Sequence, residues 1–170
     1  FSFLIQAVSI LKKEGLRIQL IIAGDGDRRK ELENQVKINN LNAEVMFLGR
    51  IENNLLRNML PLFDLFVLAS YSETFGIVFL EAMFAVLPVI GIKNEGIFGL
   101  AEDGKQALFA EPKNSKDLAL KIKLLITDQI LRQEIARAGQ KLVQEKYMLP
   151  ELMQRVIRVY EQKSDINDYQ

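Results

Sequence analysis

The chain has 170 residues, 49% of them hydrophobic, so it can bury one substantial core and is most simply a single domain. Its 22 Lys and Arg balance 22 Asp and Glu, so no overall field favours nucleic acid or an anionic membrane. The absence of cysteine and histidine excludes disulfides, thiolate nucleophiles, zinc–cysteine sites and Ser-His-Asp or Cys-His catalysis, and it suits a reducing compartment.

The first part of the chain alternates between predicted helices and strands. Helices are predicted at 1–15, 27–40 and 52–63, and strands at 17–26 and 44–50. Gly24 and Gly26 mark a sharp exit from the first strand, and Asp27 is the predicted N-cap of the helix that follows. The AGDGD turn lacks the third glycine of a dinucleotide-binding fingerprint, so a tight strand exit is favoured over an NAD site.

The stretch 70–88 joins a buried strand at 64–70 to a helix at 77–86 through a short loop that ends at Gly76. A helix that begins after a parallel strand directs unpaired N–H groups into a crevice, which makes an anion site, and Gly76 lets a ligand approach the backbone. Glu73 and Glu81 flank this turn, and we expect them to accept hydrogen bonds from sugar hydroxyls rather than to face phosphate. Glutamates at such positions are more often solvated surface, but the helix around Glu81 is apolar nearly all round and should be buried.

Two more strands and three helices complete the predicted architecture. The strands lie at 88–92 and 107–111, with a glycine-bearing loop between them, and the helices lie at 115–126, 128–147 and 149–163. Ser115 and Asp128 are the predicted N-caps. This order predicts an α/β fold, a Rossmann-like doubly wound parallel sheet flanked by helices, with ligands at the carboxyl edge of the strands.

Several motifs keep a common order along the chain: AGDG, FLGR, DLFVLAS, ETFGIVFLEAM, and then PVI, EGI and EDG. Over about residues 1–147 they resemble the carboxy-terminal half of the retaining, metal-independent, nucleotide-sugar-dependent glycosyltransferases of the GT-B fold, the large group 1 family. The resemblance implies a hexosyltransferase that binds a UDP- or GDP-sugar donor and needs no cofactor. It implies a saccharide or lipid-linked acceptor, as in cell-surface polysaccharide synthesis, and no nucleic-acid partner. It also implies that the enzyme is cytoplasmic, with possible peripheral association of the full-length enzyme with the cytoplasmic face of the membrane.

The same resemblance implies a role for each matching residue. Glu73, as the catalytic residue, would hydrogen-bond the transferred sugar, and Glu81 would hold the ribose hydroxyls. The remaining donor contacts would come from the backbone of Thr74, Phe75, Gly76 and Ile77 around sugar and pyrophosphate, Arg50 and Ile51 at the base, and Gly24 at the floor.

The chain departs from the family pattern in three places. Val86 stands where glycine is frequent, and in the loop Glu95–Gly99 only Gly96 and Ile97 match well. The chain opens in a helix, without a preceding strand whose glycine-arginine motif and following lysine neutralise the diphosphate in the family. We therefore interpret 1–170 as one donor-binding domain from a longer enzyme, with 149–164 as its last helix and with its own N-terminal acceptor domain as partner.

Three alternatives to a transferase stay open. Paired carboxylates also cleave glycosides, although an anion site suits a leaving diphosphate better than a neutral sugar. The altered loop favours a non-catalytic nucleotide-binding or interaction domain of the same fold. The third alternative is a GT-B-fold sugar-nucleotide epimerase. We expect the isolated domain to bind nucleotides weakly and to transfer no sugar.

Overall fold

The computed structural model of the chain describes residues 1–70 and 76–147. Its helices are α1 (Ser2–Lys13), α2 (Arg29–Ile38), α3 (Asn53–Met59), α4 (Ile77–Phe84), α5 (Ser115–Thr127) and α6 (Gln129–Lys146). Its strands are β1 (Leu20–Ala23), β2 (Val45–Gly49), β3 (Phe66–Val67), β4 (Val89–Ile92) and β5 (Leu108–Ala110). The predicted α/β class with parallel strands and flanking helices is confirmed. The helix predicted at 149–164 lies outside the described residues.

The strands form two parallel groups, β1 with β2 and β3-β4-β5 in that order. In the part of the chain that the structure describes, no ladder joins the two groups. Both groups nevertheless face one core, in which Leu4 and Ala7 of α1 cluster with Ile90, and Leu20 and Val67 pack against them. Helix α1 therefore holds the two groups of strands on a common side, because its apolar positions recur at helical spacing.

Strand β3 is shorter than predicted. The apolar run at 64–70 forms a ladder only over Phe66–Val67, extended by hydrogen bonds from Phe66 N to Pro88 O at 3.0 Å and from Leu68 N to Ile90 O at 3.1 Å. Strand β4 is buried at every position, as expected for the centre of a parallel sheet.

Two of the three predicted helix caps are wrong. Helix α2 begins at Arg29 with Arg28 as N-cap and no side-chain capping bond. The predicted cap Asp27 lies inside the preceding turn, which is closed by Arg29 N donating to Gly26 O at 3.0 Å. Asn114, not Ser115, caps α5, and its Oδ1 accepts from Lys116 N at 3.1 Å and from Asp117 N at 3.0 Å. The predicted cap at Asp128 is confirmed by a 2.9 Å bond from Leu131 N.

Candidate functional site

The carboxyl ends of β1 and β2 are joined at a glycine pair. Gly24 N donates to Gly49 O at 2.7 Å, and both residues have positive φ, 119° and 71°. A Cβ on Gly24 would meet nothing within 4 Å, so the space beside this backbone is open. Arg50 is exposed and Ile51 is half-buried immediately after Gly49. The structure thus brings the predicted floor residue next to the two residues predicted to meet the base.

A cation that the sequence reasoning did not single out lies at the same corner. A Cβ on Gly49 would come within 3.3 Å of Arg29 Nη1, and the Arg29 guanidinium lies 5.9 Å from the centre of the Phe47 ring. The hydrogen bond to Glu33 is the main reason that the pKa of Arg29 lies above its usual value. The sequence feature that could have identified Arg29 is its position in the first turn of a helix that follows a glycine-rich strand exit.

The start of α4 has the backbone geometry that the sequence argument requires of Gly76. This residue is the N-cap, with φ 64° and ψ 61°, in the left-handed region that favours glycine. Gly76 is buried and Ile77 is half-buried, and Gly76 O accepts from Phe79 N at 2.8 Å. Glu73, Thr74 and Phe75 lie outside the described residues, so their predicted roles stay predictions.

Glu81 lies in the second turn of α4 and has an ion-pair partner on another helix. Arg57 Nε, in α3, donates to Glu81 Oε1 at 3.0 Å, and the two side chains are 54% and 24% exposed. The pairing supplies what a half-buried carboxylate requires. The expectation that α4 is buried nearly all round is wrong, because burial is confined to Phe79, Ala82 and Met83 while Phe84 is 47% exposed.

A third polar pair follows β4 and β5. Lys93 Nζ donates to Glu111 Oε1, and this hydrogen bond, with the charge of Glu111, raises the pKa of Lys93 above its usual value. The loop that follows is fixed by packing: Ile97 is fully buried in a core with Phe109, and the Phe98 ring meets Phe109 edge-on at 5.1 Å. The loop Glu95–Gly99, whose sequence differs from the family pattern, is therefore a well-packed turn.

A hollow in the described part of the chain lies away from this edge. It has a volume of about 420 Å³ and is lined by Leu16, Arg17, Ile18, Gln19, Ala43 and Glu44. These residues precede β1 and β2, so the hollow lies at the amino ends of the strands, opposite the glycine pair.

Residues 1–70 and 76–147 contain neither a candidate metal site nor a helix suited to span a membrane. Within these ranges no three acidic side chains converge on a metal-sized site, and there is no His or Cys anywhere in the chain to add. No helix within them is long and apolar enough to cross a membrane.

Comparisons with known proteins agree on one family. The sequence model of the family described as "Glycosyl transferases group 1" matches residues 1–142. The chain is 30% identical over 159 residues to the alpha-D-kanosaminyltransferase of Streptomyces kanamyceticus. This match covers 94% of the chain and 41% of that relative. It is 31% identical over 160 residues to an uncharacterized glycosyltransferase of Methanocaldococcus jannaschii, and covers 40% of it. The chain thus spans about two fifths of the length of these relatives.

Solved structures show the same fold. The complex of Anabaena Alr3699/HepE with UDP superposes with a TM-score of 0.80 at 26% identity, covering 94% of this chain and 44% of that one. The carboxy-terminal domain of the group 1 family protein LpcC from Francisella tularensis gives 0.77 at 33% identity, covering 87% of this chain and 79% of that one. The second match is to a carboxy-terminal domain whose structure was solved by itself.

Proposed function

This chain belongs to the group 1 family of glycosyl transferases, and we propose that it is the donor-binding domain of such an enzyme, taking a UDP- or GDP-sugar. The observation that carries this proposal is the strand edge where Gly24 and Gly49 meet and where α4 begins at a left-handed Gly76. The UDP complex of the similar Anabaena protein supports a uridine nucleotide as the first ligand to test.

The proposed chemistry is retaining transfer of a hexosyl group to a saccharide or lipid-linked acceptor, as in cell-surface polysaccharide synthesis. The transition state resembles an oxocarbenium ion, and the protein's main task is to stabilise charge that grows on the leaving diphosphate. The start of α4 carries the partial positive charge of a helix N-terminus and suits that task. Glu81 holds the ribose hydroxyls and Glu73 the transferred sugar, and neither is assigned as a nucleophile.

The remaining parts of the proposal concern the longer enzyme. An amino-terminal domain of the same chain binds the acceptor, and the reaction uses no metal or other cofactor. Peripheral membrane association, with a cytoplasmic location, belongs to the full-length enzyme. For the 170 residues alone we propose weak nucleotide binding and no sugar transfer, because the acceptor half is needed for turnover.

A second candidate is a non-catalytic nucleotide-binding domain of the same fold. The packing of Ile97 and Phe98 against Phe109 favours it, because these apolar contacts account for the altered loop sequence without any contact to substrate. Donor turnover by the full-length protein, assayed with a range of acceptors, separates the two candidates, since only a transferase releases nucleoside diphosphate in an acceptor-dependent manner.

The experiment is a calorimetric titration of the chain with UDP, GDP, ADP and their sugar conjugates, repeated for Glu81→Gln. Glutamine can still accept from Arg57 Nε, so the fold should survive, but ribose loses a charge-assisted acceptor. Each lost bond of this kind costs about 1.5–3 kcal/mol, or roughly 10- to 150-fold in affinity.

The matched control is Glu14→Gln, in which a more exposed carboxylate that also has a lysine or arginine partner loses its charge. Glu14 Oε2 accepts from Lys123 Nζ at 2.7 Å, and Glu14 follows α1, before the amino end of β1. This variant should bind nucleotides like the unchanged chain. Equal affinities for Glu81→Gln and Glu14→Gln would remove Glu81 from the site, and binding of none of the nucleotides would refute the proposed function.

A further inference from the structure

The ion pair between Arg57 and Glu81 joins two helices at the site proposed above. We propose that Arg57 is a positioning residue whose positive charge lets Glu81 accept ribose hydroxyls next to a negatively charged diphosphate. The inference rests on the proposed function and deepens it. It concerns α3, in which no residue was singled out from the sequence.

The contact leaves Glu81 with unused acceptor capacity. Arg57 Nε donates to Oε1 of Glu81 at 3.0 Å, and Oε2 accepts no side-chain hydrogen bond from the described residues. An ionised carboxylate offers about four lone-pair positions on its two oxygens, of which this bond uses one. Arg57 can therefore stay bonded while the carboxylate accepts two hydroxyls, so the ion pair does not block the proposed role of Glu81.

A positively charged partner for Glu81 is useful because the ligand is negatively charged. A nucleoside diphosphate is an anion, and an unpaired carboxylate in the same cleft would repel it. The Arg57–Glu81 pair has no net charge, so the ribose acceptor no longer opposes the phosphates.

The same geometry makes the pair testable without unfolding the protein. The Arg57 side chain is 54% exposed, and exposed ion pairs contribute about 0–1 kcal/mol to stability. Removing the guanidinium should therefore change the electrostatics of the site more than the fold.

The experiment compares UDP with uridine, which has the same ribose and base but no phosphate. For Arg57→Met we expect UDP affinity to fall about tenfold, which corresponds to about 1.4 kcal/mol, and uridine affinity to change less than twofold. Arg57→Gln, which keeps a donor but removes the charge, should behave like Arg57→Met, whereas Arg57→Lys should keep most of the UDP affinity. Calorimetry measures UDP, and ligand-observed NMR measures the weaker uridine.

Two further measurements isolate the charge. In about 1 M salt, where the Debye length is about 3 Å, the UDP deficit of Arg57→Met should shrink. In a Glu81→Gln background the amide is neutral and Arg57 still attracts the diphosphate, so adding Arg57→Met should lower UDP affinity by a similar factor and again spare uridine. The matched control Lys123→Met breaks the exposed pair with Glu14 and should leave both ligands unaffected.

The outcomes separate this inference from the proposed function. If Arg57→Met weakens UDP and uridine equally, Arg57 acts only through the shape of the site and the counter-charge is refuted. If the unchanged chain binds UDP and Arg57→Met binds it equally well, the inference fails alone. If the unchanged chain binds no nucleoside diphosphate, the proposed function fails, and the inference fails with it.

Discussion

Gly139 of α6 lies close to α4, the helix that carries Glu81. A Cβ built on Gly139 would lie 3.1 Å from the Gln106 carbonyl oxygen and 3.2 Å from Met83 Cγ. Alanine in a helix interior is normally more stable than glycine by about 1 kcal/mol. Overpacking a tight contact costs about 1–3 kcal/mol, and one of the two neighbours here is backbone that cannot rotate away. We therefore expect Gly139→Ala to lower the free energy of unfolding by about 1 kcal/mol, measured by urea denaturation with an unchanged m value.

The double variant with Met83→Ala tests the contact itself. Met83 is fully buried, and its truncation alone should cost about 2–5 kcal/mol. The new methyl group at Gly139 would fill part of that cavity, so the two changes together should cost less than their sum. A Gly139→Ala chain that is about 1 kcal/mol more stable, or a strictly additive double variant, would refute the tight packing of α6 on α4.

Two further predictions concern single hydrogen bonds. Asn114→Ala should lower stability by about 1 kcal/mol because it removes the α5 cap, whereas Ser115→Ala should change stability by less than about 0.5 kcal/mol; equal effects in denaturation would contradict the observed cap. Because Glu111 raises the pKa of Lys93, their pair stabilises the fold at pH values below the unfolded lysine pKa of about 10.4, and this contribution is lost as the pH rises through the higher folded pKa. The stability difference between the unchanged chain and Lys93→Met should thus be constant from about pH 7 to 9 and shrink above about pH 10.5, and a difference that grows there would contradict the pairing.

The sequence predicts the elements well because hydrophobic periodicity acts locally. The spacing of apolar residues in 1–15 matches α1, and the apolar runs before Gly24 and Gly49 match β1 and β2. The caps are less predictable, since Ser115 and Asn114 are both good N-caps and only the backbone dihedrals decide between them. Asn114 has φ −117° and ψ 93°, outside the helical region, and therefore takes the cap position.

The site is only partly visible from the sequence, for a different reason. Gly76 is recognisable because a strand-to-helix turn needs a residue that tolerates positive φ. The partner of Glu81 is not recognisable, because Arg57 lies 24 residues away in the sequence and meets it only in the folded chain. Likewise, composition predicts a turn at Glu95–Gly99, but the complete burial of Ile97 depends on Phe109, which comes from a later strand.

The two partners in the ion pair are held in different ways, and this difference has a functional consequence. Glu81 belongs to a helix fixed by the core, through Phe79 against Phe66 at 5.5 Å and Met83 against Gly139. Arg57 is on a short helix with no buried residue, so its side chain is held mainly by the ion pair itself. If Glu81 accepts the ribose hydroxyls as proposed, changes in the core beneath α4 should move it and weaken nucleoside and nucleotide alike. Changes at Arg57 should affect only the ligand that carries phosphate, so the ratio of UDP to uridine affinity distinguishes a displaced site from one that has lost its counter-charge.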